Sequence, residues 1–180
     1  MTVRDEFLAD IPACREQLVA SHAFYIHQTS SSGLDRIREI GLEPKVVDVP
    51  PDEVVARLGD KGRCIICFRP VAAEFPRFGS SDKDLIELAI AAADLPELVG
   101  IDWTDAYSKG LPDSIRSTEP NKPVLEIFRD VIRRTGIAIT YDRVAPELLL
   151  VRRKDDPPEM PERWGRLTET PNDEILVFSR

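Results

Sequence analysis

The stretch that organises this chain runs from Phe24 to Pro44 and reads FYIHQTSSSGLDRIREIGLEP. It opens with aromatic and β-branched residues, which are typical of a buried strand. The strand ends on a polar cluster of His27, Gln28 and Thr29. Three serines follow and can cap a helix that begins near Leu34. The sequence therefore predicts polar side chains at a strand-to-helix junction, where they can face a ligand.

The predicted helix after the serines has clear ends. Leu34, Ile37 and Ile40 lie three residues apart and share one helix face. Gly41 is placed as a C-cap glycine, and Pro44 prevents the helix from starting again. The whole stretch thus reads as one strand–turn–helix unit.

The composition is that of a globular protein. The chain has 180 residues, of which 42% are hydrophobic and 31% are charged. This length fits one domain over residues 1–180, with an N-terminal covering helix over residues 1–20. The net charge of −8 argues against non-specific nucleic-acid binding by the surface as a whole.

The expected location is the cytoplasm, with no membrane contact. The apolar runs are far shorter than the roughly 20 residues that cross a bilayer. The first residues lack the basic-then-apolar pattern of a signal peptide. Three cysteines, an odd number, favour a reducing compartment over a disulfide framework.

The remaining pattern mixes helices and short strands without regular alternation, which favours an α+β fold. A run bounded by glycine and proline predicts a buried strand over residues 62–70. Further predictions are helices over 82–95 and 124–135, an ordered loop or flap over 104–123, and strands over 137–141, 147–152 and 173–178.

Two separated pieces resemble the ADP-ribosyltransferase superfamily. The first is Tyr25-Ile26-His27-Gln28-Thr29, followed by Leu34-x-x-Ile37-x-x-x-Gly41-Leu42-x-Pro44. It is similar to the strand–helix unit of bacterial DNA-targeting ADP-ribosyltransferase toxins and RNA 2′-phosphotransferases. The second is Asp173-Glu174-Ile175-Leu176-Val177, which looks like the late strand that carries the catalytic glutamate. The run Cys64–Pro70 falls where the second core strand of that family is expected.

The resemblance implies a fold, a substrate and a set of roles. The fold is a mixed, mostly antiparallel split β-sheet with flanking helices. The substrate is NAD, and ADP-ribose passes to a macromolecular acceptor, protein or nucleic acid, as in a bacterial toxin or effector. His27 would bind a ribose hydroxyl on the adenosine side, and Thr29 would support the nicotinamide ribose. Glu174 would stabilise the cationic sugar that forms as nicotinamide leaves.

The implied NAD-binding set also includes Gln28, Phe68 and Arg69. Phe68, Tyr107 and Tyr141 are the candidates to stack on nicotinamide. The anionic pyrophosphate needs a cation, and the candidates are Arg36, Arg38, Arg63 and Arg69. The sequence does not choose among these arginines.

Other interpretations stay open. His27 can be a structural histidine and Glu174 a solvent-facing residue. The same fold would then serve as a non-catalytic binding module, such as an immunity or regulatory protein with a cognate partner. A third alternative is phosphate removal from RNA ends.

A metal at Cys64 and Cys67 is not expected, because residues three apart in a strand point to opposite faces. The glycine-rich phosphate-binding motifs and the G-x-S-x-G motif do not occur.

Overall fold

The computed structural model describes residues 16, 19–20, 22–46, 64–71, 84–95, 98–100, 111–123, 126–127, 130, 138–140 and 142–178. The α-helices whose bounds are described are α1 (Leu34–Ile40) and α2 (Leu111–Thr118). The described strands are β1 (Phe24–Ser30), β2 (Lys45–Val46), β3 (Cys64–Pro70), β4 (Leu85–Ala91), β5 (Leu98–Gly100), β6 (Ala138–Thr140), β7 (Leu150–Val151) and β8 (Gly165–Arg166).

The described strands form one antiparallel sheet in the order β5-β6-β3-β1-β4-β7-β8, and β2 pairs with β3 beside this path. Every recorded strand pair is antiparallel. Together with the helices, this confirms the general α+β class. The predicted strand at Phe24 is confirmed and extends to Ser30. Because β1 pairs with β3 on one side and β4 on the other, it lies inside the sheet.

The two faces of β1 pack against different layers. Tyr25 lies on one face and belongs to the main core with Phe68, Leu88 and other buried residues from β3, β4 and β7. Burial raises the pKa of the Tyr25 phenol. Ile26 lies on the other face, in a smaller cluster with Ala89 and Trp164. Successive side chains of a strand point to opposite faces, so the sheet is covered on both sides at this position.

The prediction of a helix over 82–95 is wrong, since Leu85–Ala91 is strand β4. All seven residues of β1 pair with it, from Phe24 with Ala91 to Ser30 with Leu85. Apart from Glu87, the run LIELAIA is apolar on both faces, because β4 is buried between two layers. A doubly buried strand shows no alternation, so its pattern cannot be told from that of a buried helix.

The prediction of a loop or flap over 104–123 is wrong for residues 111–118, whereas residues 119–123 have no regular secondary structure, as predicted. Residues Leu111–Thr118 form α2, with Ile115 buried against the core. Pro112 lies in the first helical turn, where a missing N–H costs no hydrogen bond. Pro112 is therefore compatible with the start of a helix.

The predicted final strand over 173–178 is wrong at its beginning. Asn172–Glu174 is a single 3-10 turn after Pro171. Beyond it, Ile175 and Phe178 make isolated antiparallel bridges, to Arg153 and Leu85 respectively. The sequence predicts a turn over 170–172 and the extended residues after it, but the turn continues through Glu174 before the chain joins the sheet.

Other predictions have mixed outcomes. The strands over 62–70 and 137–141 are confirmed as β3 and β6. The strand over 147–152 is shorter than predicted, because Pro146–Leu148 is a 3-10 turn and only Leu150–Val151 is strand. Most of the predicted helices over 1–20 and 124–135 lies outside the described residues. In the parts of the chain that are described, no helix has the length and apolar character needed to cross a membrane.

Candidate functional site

A cleft of about 430 Å³ opens where β1 passes into α1. Its polar wall consists of the end of β1 and the serine turn, and its other walls are α1, the chain after α1, and one residue of β3. The lining residues are His27, Gln28, Thr29, Ser30, Ser32, Gly33, Arg36, Ile37, Gly41, Leu42, Glu43, Lys45 and Ile66. The predicted strand–turn–helix unit thus forms most of this cleft.

The serine turn is held by short-range hydrogen bonds. The Ser30 and Ser32 hydroxyl oxygens lie 2.8 Å apart, and the Ser32 N–H donates to Ser30 Oγ at 3.4 Å. The Ser31 N–H donates to the Asp84 carbonyl at 3.0 Å, which ties the turn to the start of β4. Ser30 is therefore the N-cap of a 3-10 turn over Ser31–Gly33. The α-helix α1 that follows has Gly33 at its N-cap and no side-chain cap, so the predicted serine cap acts on the 3-10 turn and not on α1 itself.

The cleft wall after α1 depends on Gly41. Its φ of +82° lies in the left-handed region, which favours glycine. A Cβ atom there would lie 2.0 Å from the Val144 carbonyl oxygen. The next residue, Leu42, exchanges two backbone hydrogen bonds of 2.9 Å with Val144. The predicted C-cap glycine is thus confirmed, and it lets the chain run close beside residue 144.

Charged groups stand at the mouth of the cleft. Arg36 Nη2 donates to Glu43 Oε2 at 2.7 Å, and both residues line the cleft. Their side chains are 72% and 45% exposed. The hydrogen bond to Glu43, with the attraction of that carboxylate, raises the pKa of Arg36. Lys45 adds a second cation on the same lining.

His27 and Phe68 share one face of the sheet. Their ring centroids lie 5.7 Å apart with a tilt of 53°. Phe68 is 1% exposed and is not among the residues that line the cleft. It therefore packs behind His27 and supports the imidazole, rather than presenting a face on which nicotinamide could stack. Thr29, two residues from His27 on the strand, lines the cleft with it.

Gln28 is among the residues that line the cleft, but its side-chain amide, like the Arg69 guanidinium, is bound on the face of the sheet opposite His27. Gln28 Nε2 donates to Glu87 Oε1 at 3.0 Å, and Arg69 Nη2 reaches the same oxygen at 2.6 Å. Arg152 Nη1 donates to Glu87 Oε2 at 2.9 Å. Glu87 is only 5% exposed. We call Gln28, Arg69, Glu87 and Arg152 the Glu87 cluster.

The pleat of β1 therefore separates the predicted NAD-binding residues into two groups. His27 and Thr29 lie on the cleft side, whereas the Gln28 side chain and Arg69 are bound to Glu87. Sequence reasoning missed Glu87 because it treated residues 82–95 as an amphipathic helix. A lone carboxylate inside the apolar run LIELAIA was the available signal, since a buried charge needs partners.

The structure does not bring Glu174 to the His27 cleft. Glu174 is exposed and borders a separate concavity of about 380 Å³. Its neighbours there are Arg153, Lys154, Asp155, Asp156 and Asp173. The 3-10 turn at Asn172–Glu174, where the sequence predicted the start of a strand, sets this position.

Asp156, in the same concavity, is held by Arg153. The Arg153 backbone N–H and Nε donate to Asp156 Oδ2 at 3.0 and 2.9 Å, and Nη2 donates to Oδ1 at 2.9 Å. These hydrogen bonds from Arg153 lower the pKa of the Asp156 carboxyl.

The arginines proposed for a pyrophosphate differ in their surroundings. Arg38 donates to the carbonyls of Leu167 and Thr170 and to the Asn172 side chain, so it joins α1 to the C-terminal segment. Arg69 belongs to the Glu87 cluster, and Arg63 lies outside the described residues. Among the candidates that the structure describes, Arg36 is the one that lines the cleft.

Within the same described ranges, no group of three or more His, Cys, Asp or Glu residues is arranged to hold a metal ion. Comparison of the chain with protein-family models, with curated proteins and with solved structures finds no match.

Proposed function

We propose that the chain binds NAD in the His27 cleft and transfers ADP-ribose to a macromolecular acceptor. The observation that carries this proposal is the convergence of an imidazole, three hydroxyls and two cations on one cleft, from His27, Thr29, Ser30, Ser32, Arg36 and Lys45. Its volume of about 430 Å³ falls in the range of small-molecule sites.

The lining matches the chemistry of a dinucleotide. Imidazole and hydroxyl groups can donate to and accept from ribose hydroxyls. A guanidinium and an ammonium attract pyrophosphate oxygens, and charge-assisted hydrogen bonds to them are stronger than neutral ones. We therefore assign ribose binding to His27 and Thr29 and pyrophosphate binding to Arg36 and Lys45.

The sheet adds a second line of support. Strand β3 pairs directly with β1, with Tyr25 opposite Pro70 and Ile26 opposite Arg69. The resemblance to the ADP-ribosyltransferase superfamily places the second core strand at this run. The antiparallel pairing of β1 on both sides is consistent with the split, mostly antiparallel sheet that the resemblance implies.

One observation favours a second function, a non-catalytic binding module. Transfer of ADP-ribose needs a carboxylate beside the ribose as positive charge develops on the sugar. Glu174, the carboxylate proposed for this role, borders a different concavity from His27. A chain that binds NAD without a carboxylate at the sugar would act by binding and would recruit a partner protein.

The first test separates NAD binding from folding by comparing neighbouring residues. His27→Ala is expected to weaken NAD binding by about tenfold in isothermal titration, because it removes a ribose hydrogen bond. Gln28→Ala is the matched control, since its side chain contacts Glu87 on the other face. It should change NAD affinity by less than about twofold while lowering the free energy of unfolding by about 1–2 kcal/mol.

The second measurement decides between transfer and binding alone. The protein is incubated with labelled NAD and, separately, with protein, DNA and RNA acceptors. Nicotinamide release that is lost in His27→Ala supports the transferase, and the effect of Glu174→Gln on release tests whether Glu174 takes part from its separate concavity. NAD binding without release under any condition supports the binding module. Absence of NAD binding, or equal affinity in wild type and His27→Ala, contradicts the assignment of the cleft.

A further inference from the structure

The pair formed by Arg36 and Glu43 lies on the cleft itself. Both side chains line the cleft, and their charged ends meet at 2.7 Å. The Arg36 guanidinium is therefore already bound to a carboxylate at the place where an anionic ligand would need it. An anion that enters must displace Glu43 or share Arg36 with it.

The backbone holds Glu43 in this position. The residue before it, Leu42, is bound to Val144 by two hydrogen bonds of 2.9 Å. Gly41 makes the close approach to Val144 possible. Arg36 lies on α1 and is largely exposed, so its long side chain can leave the pair without disturbing the core. The carboxylate is thus anchored at its base, and the guanidinium is the movable partner.

We infer that Glu43 is an intramolecular competitor that sets the affinity and selectivity of the cleft for anionic ligands. The ligand class is one that carries a phosphate or pyrophosphate. With Glu43 in place, a weak anion does not displace the carboxylate, whereas a ligand with several charges and further contacts to His27 and the serine hydroxyls does. This inference rests on the proposed function for the identity of the natural ligand, but not for the competition itself.

Glu39 provides a matched control. It is exposed, lies on α1, and attracts the Arg36 charge through space, but it does not line the cleft. Glu43→Gln and Glu39→Gln each remove one negative charge near the same guanidinium. Only Glu43→Gln removes the carboxylate that is bound to Arg36. A difference in pyrophosphate affinity between the two variants therefore measures competition rather than net charge.

The test uses inorganic pyrophosphate and NAD as probes in isothermal titration at low salt. Glu43→Gln should tighten pyrophosphate binding by about three- to fivefold, because exposed ion pairs are weak, and Glu39→Gln should change it by less than about 1.5-fold. In the double variant Arg36→Gln/Glu43→Gln, this gain in pyrophosphate affinity should disappear. Binding of adenosine, which is uncharged, should not differ between wild type and Glu43→Gln.

The outcomes separate this inference from the proposed function. Tighter pyrophosphate binding in Glu43→Gln, with no NAD binding in any variant, supports the competitor and contradicts the NAD assignment. Equal pyrophosphate affinity in wild type and Glu43→Gln, or no binding to either, overturns the competitor whether or not NAD binds. An equal gain in Glu39→Gln also overturns it, because the effect would then be one of net charge.

Discussion

The two faces of strand β1 place polar side chains in opposite surroundings, one exposed and one buried. On one face of β1, His27 and Thr29 open onto a cleft whose charged pair, Arg36 and Glu43, is largely exposed. On the other face, Gln28 is bound to a carboxylate that is 5% exposed. A step of one residue along the strand, from His27 to Gln28, thus moves the side chain from the ligand cleft to a buried hydrogen bond.

The difference shows how burial changes the role of a charge. In the Glu87 cluster two guanidinium groups and one amide surround a single buried carboxylate, so each partner is costly to remove. At the cleft mouth the same chemistry is exposed to water, where an ion pair contributes little to stability and can exchange partners. We therefore expect substitutions in the cluster to affect folding and those in the cleft to affect binding.

The largest expected effect comes from Glu87→Ala. It removes the carboxylate shared by Arg69 and Arg152 and leaves both cations without it on a buried face. The free energy of unfolding should fall by about 3–5 kcal/mol, measured by urea denaturation followed by circular dichroism. Glu43→Gln is the exposed control and should change it by less than about 0.5 kcal/mol. A loss in Glu87→Ala as small as that of the control would remove the contrast between the two regions.

A smaller loss of stability is expected on the cleft side at Gly41. Gly41→Ala places a Cβ atom against the Val144 carbonyl and forces a positive φ on alanine. The expected cost is about 2 kcal/mol, with weaker ligand binding because the wall that carries Glu43 must shift. Gly33→Ala is the control, since its Cβ would meet only Ile37 Cδ1 at 3.8 Å. If both variants melt at the same temperature, the close approach at Gly41 is not needed.

The smallest expected effect is at Asp156, in the concavity that Glu174 borders; the Asp156 backbone carbonyl also accepts a hydrogen bond of 3.4 Å from Arg152 Nε. Its pKa is lowered in the folded state, so its stabilisation is present above the unfolded pKa and is lost as pH falls through the folded pKa. Asp156→Asn should cost about 1 kcal/mol at pH 7, since Arg153 is partly exposed. Wild type and variant should converge in urea melts as the pH falls below the lowered pKa of the folded Asp156 carboxyl. Asp155→Asn, an exposed neighbour, is the control for the loss of one negative charge at this surface.

The sequence was most informative where one local signal sufficed. Ser30, Leu34 and Gly41 predicted the turn, the start of α1 and its end, and each depends on residues within one or two turns of the chain. The same local reasoning failed at Leu85–Ala91, because a strand buried on both faces is identified only by its partners. It failed also at Glu174, where a turn after Pro171 replaces the first residues of the expected strand.

Part of the candidate site could be predicted from the sequence, because that part also depends on local signals. His27, Thr29, Ser30 and Ser32 belong to one continuous stretch, so the chain itself brings them to the cleft. The strand register decides which residues share a face with His27. It places Gln28 opposite Glu87 and puts Phe68 on the same face as His27. Glu43 and Arg36 could be seen in the sequence, but not their contact.

By itself, the sequence determined the strand–turn–helix unit, the polar character of its junction and the α+β class, because these depend on periodicity and on caps that act over a few residues. Only the tertiary structure decided that β4 is a strand, that Glu87 holds Gln28 and two arginines, and that Glu174 borders a different concavity from His27. The contacts of Glu87, for example, join residues 18 to 65 positions apart. Such pairing is set by burial and register across the whole sheet, which no local pattern encodes.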